Sequence, residues 1–215
     1  MLSAVSAIRM QSLSQVHPQC AKNIFFELAP KTADRVKKSG DPRFEKEAWF
    51  STVLTEQPSC GFNIGSEKYS VASLLFCAPQ HAPGVQRIPT APASQDAYLI
   101  TSMHIDPGFA GMGLETVLFD AAIREIQMYG ATAIEAFGFH SDFRDDATDP
   151  QPVKVMDIFQ AHQEIGLMSV EVLTSAGFQI VQEHPVLPRL RLELPPPQAL
   201  ISAMAVNELL AKVLV

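Results

Sequence analysis

The chain has 215 residues, 47% of them hydrophobic and 18% charged, with a formal net charge of −7. That length and balance describe one ordinary globular domain, alone or with an appendage, and exclude extensive disorder. An acidic chain lacks the basic patch that nucleic acid or an anionic membrane would need, and no apolar run reaches the ~18 residues of a membrane span.

The three cysteines, Cys20, Cys60 and Cys77, include no C-x-x-C pair. They read as reduced, buried thiols rather than a disulfide framework or a zinc cluster, and no metal site is expected. The N-terminus has neither the basic segment nor the long apolar core of a signal peptide, so the expected location is the cytoplasm.

In chain order, Leu2–Met10 suits a first strand, and Cys20–Pro30 suits a short helix or strand that Pro30 ends. Asp41 then caps a helix with Pro42 at its first position and acids in its early turns. The expected apolar positions of that helix are Phe44, Ala48, Phe50, Val53 and Leu54. Cys60–Gly65 and Tyr69–Ala78 read as a β-hairpin. Four prolines between Pro79 and Pro92 make the next stretch a loop or extended crossing.

Ala97–Ile105 is apolar on nearly every position, as a central buried strand should be. Leu114, Val117, Leu118, Ala121, Ala122 and Ile126 form a helical stripe that Gly130 stops. Ala131–Phe139 is the next strand. Strand, helix and strand in about forty residues make a βαβ unit with parallel strands.

A polar insertion, His140–Pro152, leads to a helix from Val153 to about His162. A further helix ends at Gly177, and two strands follow, with Leu190, Leu192 and Leu194 alternating in the second. Pro195–Pro197 form a linker to a last amphipathic helix starting at Gln198. It would carry Leu200, Met204, Leu210 and Leu214 on its apolar side, packed on its own domain or against a second copy.

The stretch Asp106–Glu115, "DPGFAGMGLE", places two glycines at the mouth of a helix. Such a turn holds anions through backbone N–H groups and the helix dipole, without basic side chains. It is no nucleoside-triphosphate loop, because Leu114 rather than lysine follows Gly113. A dinucleotide turn fits poorly too. Gly111, Gly113 and Thr116 give two of three glycines, with Glu135 as the acid, but Gly111 stands six residues beyond Ile105.

The longer stretch "MHIDPGFAGMGLETVLFDAA" resembles the acetyl-CoA-binding motif of the GCN5-related N-acetyltransferase superfamily. Ile105, Pro107, Phe109, Gly111, Gly113 and Leu118 match its frame, and Gly177–Phe178 match its helix-to-strand joint. "DPRFEKEAWFSTVLTEQPSCG", "GATAIEAFG" and "HPVLPRLRLEL" extend the likeness to uncharacterised actinobacterial members, over roughly residues 20 to 195.

The resemblance implies an α/β (α+β) fold with a mixed, splayed central sheet flanked by helices. Residues 1–194 would form the acyltransferase domain and 195–215 a linker and helix. It implies acetyl-CoA as cosubstrate, held by Met103, His104, Ile105, Phe109, Ala110, Gly111, Met112, Gly113 and Leu114. A primary amine on a small molecule or protein would attack the thioester directly, and strand N–H groups near Met103–Ile105 would stabilise the oxyanion.

The chain departs from the superfamily at four places. Ala110 stands where Arg or Gln is usual and Glu115 where Gly or Ala is usual, so a carboxylate sits near the pyrophosphate. Leu173 replaces the usual tyrosine acid, and Gly166 the usual asparagine. Candidate bases are Glu27, Glu45, Glu47 and His104, with Glu47 and His104 ranked first. Asp142, Asp145, Asp146 and Asp149 of the insertion could attract a cationic acceptor, without the spacing of a calcium loop. The departures also admit a rival expectation, a catalytically weak or inactive acyl-CoA-binding module on the same fold.

Overall fold

The computed structural model describes residues 3–39, 41–66, 69–144, 151–197 and 201–213. Among them a mixed sheet of eight strands runs in the order β1-β2-β3-β4-β5-β8-β7, with β6 beside the end of β5. The strands are β1 (Ser3–Ala7), β2 (Gly61–Gly65), β3 (Ser70–Cys77), β4 (Ala97–Ile105), β5 (Ala133–Phe139), β6 (Met168–Ser169), β7 (Gln179–Gln182) and β8 (Arg189–Glu193). The β4–β5 and β5–β6 pairings are parallel and the others antiparallel.

Alternation along the strands splits the core in two. Leu74, Phe76, Ile100, Ile134 and Ala136 face α4 (Leu114–Met128) and α7 (Val170–Ser175). Leu75, Cys77, Leu99 and Phe137 face α1 (Pro18–Lys22), α3 (Pro42–Glu56), α5 (Val153–Gln160) and the proline-rich crossing. The remaining helices are α2 (Pro30–Ser39), α6 (His162–Ile165) and α8 (Ala203–Val213).

The hairpin, β4, α4 and the parallel β4–β5 pair stand where the residue pattern puts them. Asp41 caps α3 by accepting the Arg43 N–H at 2.9 Å, and Gly130 stops α4 at φ +77°. Other expectations are corrected. Pro30 opens α2 instead of ending an element, since a first helical turn needs no N–H from proline. Phe44 is 69% exposed, because the buried stripe of α3 is Lys46, Trp49, Phe50 and Val53, at the i, i+3, i+4, i+7 spacing of one face.

The stretch expected as one helix to His162 breaks into α5 and α6, and α8 begins at Ala203 rather than Gln198. In α8, Leu210 is buried and Met204 is 72% exposed. Leu200, Leu214, Asp145, Asp146 and Asp149 lie outside the described residues. No described helix is long and apolar enough to cross a membrane.

Candidate functional site

The β4–β5 ladder runs from Ala97–Ala133 to Ile100–Ala136 and stops. Beyond that point β4 keeps its pairing with β3 through Ile105, while the end of β5 pairs with β6. The two central strands therefore diverge into a slot. The Asp106 N–H turns back to the Val71 carbonyl at 2.8 Å. By strand alternation, the N–H groups of Met103 and Ile105 face the slot.

Two residues past Met103 β4 ends, and the chain enters a 3-10 turn, Pro107–Phe109, and then reaches α4. Gly111 and Gly113 take positive φ, +74° and +83°, a conformation that costs other residues about 1–2 kcal/mol. A Cβ on Gly111 would meet nothing within 4 Å, so the loop is open above that glycine. Gly113 is the N-cap of α4, and the first N–H groups of the helix have no partner within it. Gly111 and Met112 are exposed, and Phe109 is half-buried against the α4 side of the core.

The loop is tied to the N-terminal segment. Asp106 Oδ1 lies 2.9 Å from His17 Nε2. His17 Nδ1 accepts the Gln19 N–H at 3.2 Å, which leaves the ring proton on Nε2 for Asp106. The His17 ring stacks on His104 with centroids 5.8 Å apart. His104 Nε2–H in turn donates to the Glu164 carbonyl at 3.2 Å, leaving Nδ1 to accept from the Cys20 thiol at 3.1 Å. Burial pushes the Cys20 thiol up to about 12 and the His104 imidazolium down to about 4. Both are neutral near pH 7, so no thiolate–imidazolium nucleophile exists here.

The mouth of the slot is bridged by residues 164–169. The carbonyl of Gly166 accepts the Met103 N–H at 2.9 Å. Asn23 Nδ2 donates to the Ile165 carbonyl at 2.5 Å. Met168 and Ser169 then pair with Gly138 and Phe139 of β5. The Met103 N–H expected to steady an oxyanion is thus engaged by the chain itself. Gly166 has φ +77°, and a Cβ there would lie 2.5 Å from His104 Cε1 and 3.0 Å from the Met103 carbonyl oxygen. Only glycine admits so close an approach.

Glu115 turns partly inward. Its Oε2 is buried without a partner among the described residues, and the side chain lines a cavity of about 170 Å³ between α4, the end of α7 and Pro196, Pro197 and Ile201. The C-terminal segment is fastened to α4 by Ile201 N–H on Asp120 Oδ2 at 2.5 Å and Arg124 Nη2 on the Ile201 carbonyl at 2.7 Å. Leu209 of α8 reaches 3.4 Å from where a Gly113 Cβ would stand.

Of the residues picked from the sequence, Met103, His104, Ile105 and the Phe109–Leu114 loop lie along the slot and its exit. Glu47 does not join them; it is exposed on α3, one position beyond the inward-facing Lys46. Glu45 is half-buried on the same helix. Glu27 is buried and bound to Lys46 Nζ at 2.5 Å, in the core under Trp49 and Phe50. Trp49 is a core residue whose Nε1–H donates to the His81 carbonyl at 2.8 Å. Leu173 is fully buried against Gly138.

Glu135 accepts from Ser94 Oγ at 2.6 Å and Ser94 N–H at 3.0 Å, with Arg189 and Arg191 each 3.4 Å away. It is a structural clasp, not a ribose acid. His17, Cys20 and Asn23 escaped the sequence reading, because their partners stand 84 to 142 residues further along the chain.

No family model matches the sequence, and no curated protein does. Solved structures do match in fold. An N-acetyltransferase from Staphylococcus aureus Mu50 superposes with a TM-score of 0.51 at 14% identity, over 88% of this chain and 97% of its own. The PaiA N-acetyltransferase from Thermoplasma acidophilum, solved in complex with coenzyme A, superposes with a TM-score of 0.52 at 4% identity, over 90% and 99%. The chain has the fold of the GCN5-related N-acetyltransferases.

Proposed function

We propose that the chain is an acetyl-CoA-dependent N-acetyltransferase that acylates a primary amine. The observation that carries this reading is the junction of two features. The β4–β5 ladder ends at Ile100–Ala136, and the freed end of β4 runs directly into the glycine loop that opens α4. A backbone-lined slot and a helix N-terminus in line suit a long ligand with amide groups at one end and phosphates at the other. The coenzyme A bound to the Thermoplasma acidophilum protein of like fold supports the same ligand class.

When bound, acetyl-CoA supplies an activated thioester carbonyl and a thiolate leaving group. The N–H groups of Gly111 and of Gly113 to Thr116 would hold the pyrophosphate, and the open space above Gly111 leaves room for it. One slot-facing N–H of β4, that of Ile105 or that of Met103 once the Gly166 carbonyl withdraws, donates to the oxygen on which negative charge develops. His104 takes the proton shed by the attacking amine. Its Nε2 faces the slot once the Glu164 carbonyl withdraws, and the Cys20 thiol can then accept from Nδ1–H. Glu47, exposed on α3, has no part in this assignment. Leu173 cannot donate a proton, so the departing thiolate takes one from water.

A panel of primary amines, scored by free thiol released from acetyl-CoA, tests the reading. Release that needs both amine and enzyme is expected, and His104→Gln should lower it by about 10²–10⁴-fold. One observation favours a second reading, a binding module without turnover: Met103 N–H is already bonded to Gly166. Saturable acetyl-CoA binding with no release on any amine would select it.

A further inference from the structure

We infer that residues 164–169 are a gate that closes the acyl slot by imitating the ligand's own carbonyls. This deepens, and rests on, the acyl-CoA reading above. Three consecutive carbonyl oxygens carry it. Those of Glu164, Ile165 and Gly166 accept, in order, from His104 Nε2–H at 3.2 Å, Asn23 Nδ2 at 2.5 Å and Met103 N–H at 2.9 Å. The three donors come from separate parts of the chain: the splayed end of β4 supplies two, and the residue just after α1 supplies the third.

The carbonyls themselves come from the end of a one-turn helix, α6, where they have no helical partner. A slot whose walls donate to a row of carbonyls is built for a ligand that presents a row of carbonyls, as a thioester followed by amides does. In the closed state the chain supplies that row itself.

The segment also has the parts of a movable element. Its first two residues end a helix only four residues long, its last two form a strand that pairs through two residues, and Gly166 between them holds φ +77°. The buried side chains of Ile165, Leu167 and Met168 weigh towards closure. The apparent affinity for acetyl-CoA is therefore the intrinsic one reduced by the fraction of open molecules. Weakening the bracket must tighten binding, the opposite of what damage to a permanent wall would do.

Two variants test this on the full chain. Leu167→Ala trims one of the buried side chains that hold the segment shut and leaves all three slot donors in place. Gly166→Ala drives a methyl into His104. Acetyl-CoA affinity is measured by calorimetry, and amide exchange across residues 164–169 by mass spectrometry, with and without ligand. The gate predicts about fivefold or greater tightening in both variants, and faster exchange at 164–169 in wild type when acetyl-CoA is added.

If Gly166→Ala does not fold, Leu167→Ala and the wild-type exchange data decide alone. Equal affinities with unchanged exchange overturn the gate and leave the acyl-CoA reading intact. No binding of acetyl-CoA by any of the proteins overturns both.

Discussion

The two halves of β4 share a strand and differ in what their edges do. From Ala97 to Ile100 the strand is laddered to β5, and at Leu99 and Ile100 to β3 as well. From Met103 to Ile105 it is laddered to β3 alone, and on its other edge Met103 N–H meets the Gly166 carbonyl. The first half spends its backbone on the fold. The second keeps donors that a ligand can use, in a slot lined by a neutral histidine and leading to a helix N-terminus. A sheet gains a binding site here by ceasing to be a sheet, and substitutions in the two halves should fail in different ways.

The sharpest contrast is expected from Glu135→Ala. Glu135 is in register with Leu99, in the doubly paired half, and clasps Ser94, Arg189 and Arg191. Its loss leaves buried partners uncompensated and should cost about 3–5 kcal/mol in denaturant unfolding. Acetyl-CoA affinity of the folded fraction should not change. A large affinity loss at full stability would erase the distinction between the halves.

In the splayed half, His104 should make stability depend on pH. Its folded value lies near 4, lowered by burial, against an ordinary 6.5. The unfolded chain therefore binds the proton more readily. Stability is complete above about pH 6.5 and is lost as pH falls towards 4, by about 3 kcal/mol in all. The groups facing the ring are Cys20 from α1, His17 with Asp106 behind it, Lys46 from α3 and the Glu164 carbonyl. His104→Gln should flatten that part of the pH profile of the melting temperature. An unchanged slope would assign it to another group.

Gly111→Val should act on the ligand more than on the fold. The site above Gly111 is open, so the strain is local, but the β-branched side chain blocks the loop's N–H groups. Losing one charge-assisted hydrogen bond weakens acetyl-CoA by about 10–100-fold. The smallest effect belongs to Glu115→Gln, which removes a carboxylate from the first turn of α4 and should tighten acetyl-CoA about two- to fivefold in a low-salt titration.

Much of the scaffold was legible in the sequence because its signals are local. Asp41–Pro42 cap one helix, Gly111 and Gly113 open another, and the apolar run of β4 sits between turn residues. The side of α3 that faces inward was not legible. Phe44 reads as core, yet it is exposed and the buried stripe begins at Lys46, whose charge Glu27 neutralises from nineteen residues upstream. Glu47 lies one residue out of phase with the buried face, exposed on the same helix.

The slot was legible in place, through Met103 to Gly113, and illegible in state. β6 exists only because the end of β5 is there to pair with it, and the carbonyls of Glu164 to Gly166 meet their donors only in three dimensions. A residue type has spacing and propensity that a sequence can show. A backbone carbonyl has neither.

One titration tests the central claim most directly: thermal unfolding of the wild-type chain against acetyl-CoA, coenzyme A and NAD at fixed protein concentration. A ligand held at about 100 times its dissociation constant adds about 2.7 kcal/mol, which raises the midpoint by several degrees. A rise with acetyl-CoA and coenzyme A, and none with NAD, is the result expected of a splayed slot that ends in a pyrophosphate cradle. No rise with either acetyl-CoA or coenzyme A, or an equal rise with NAD, would contradict it.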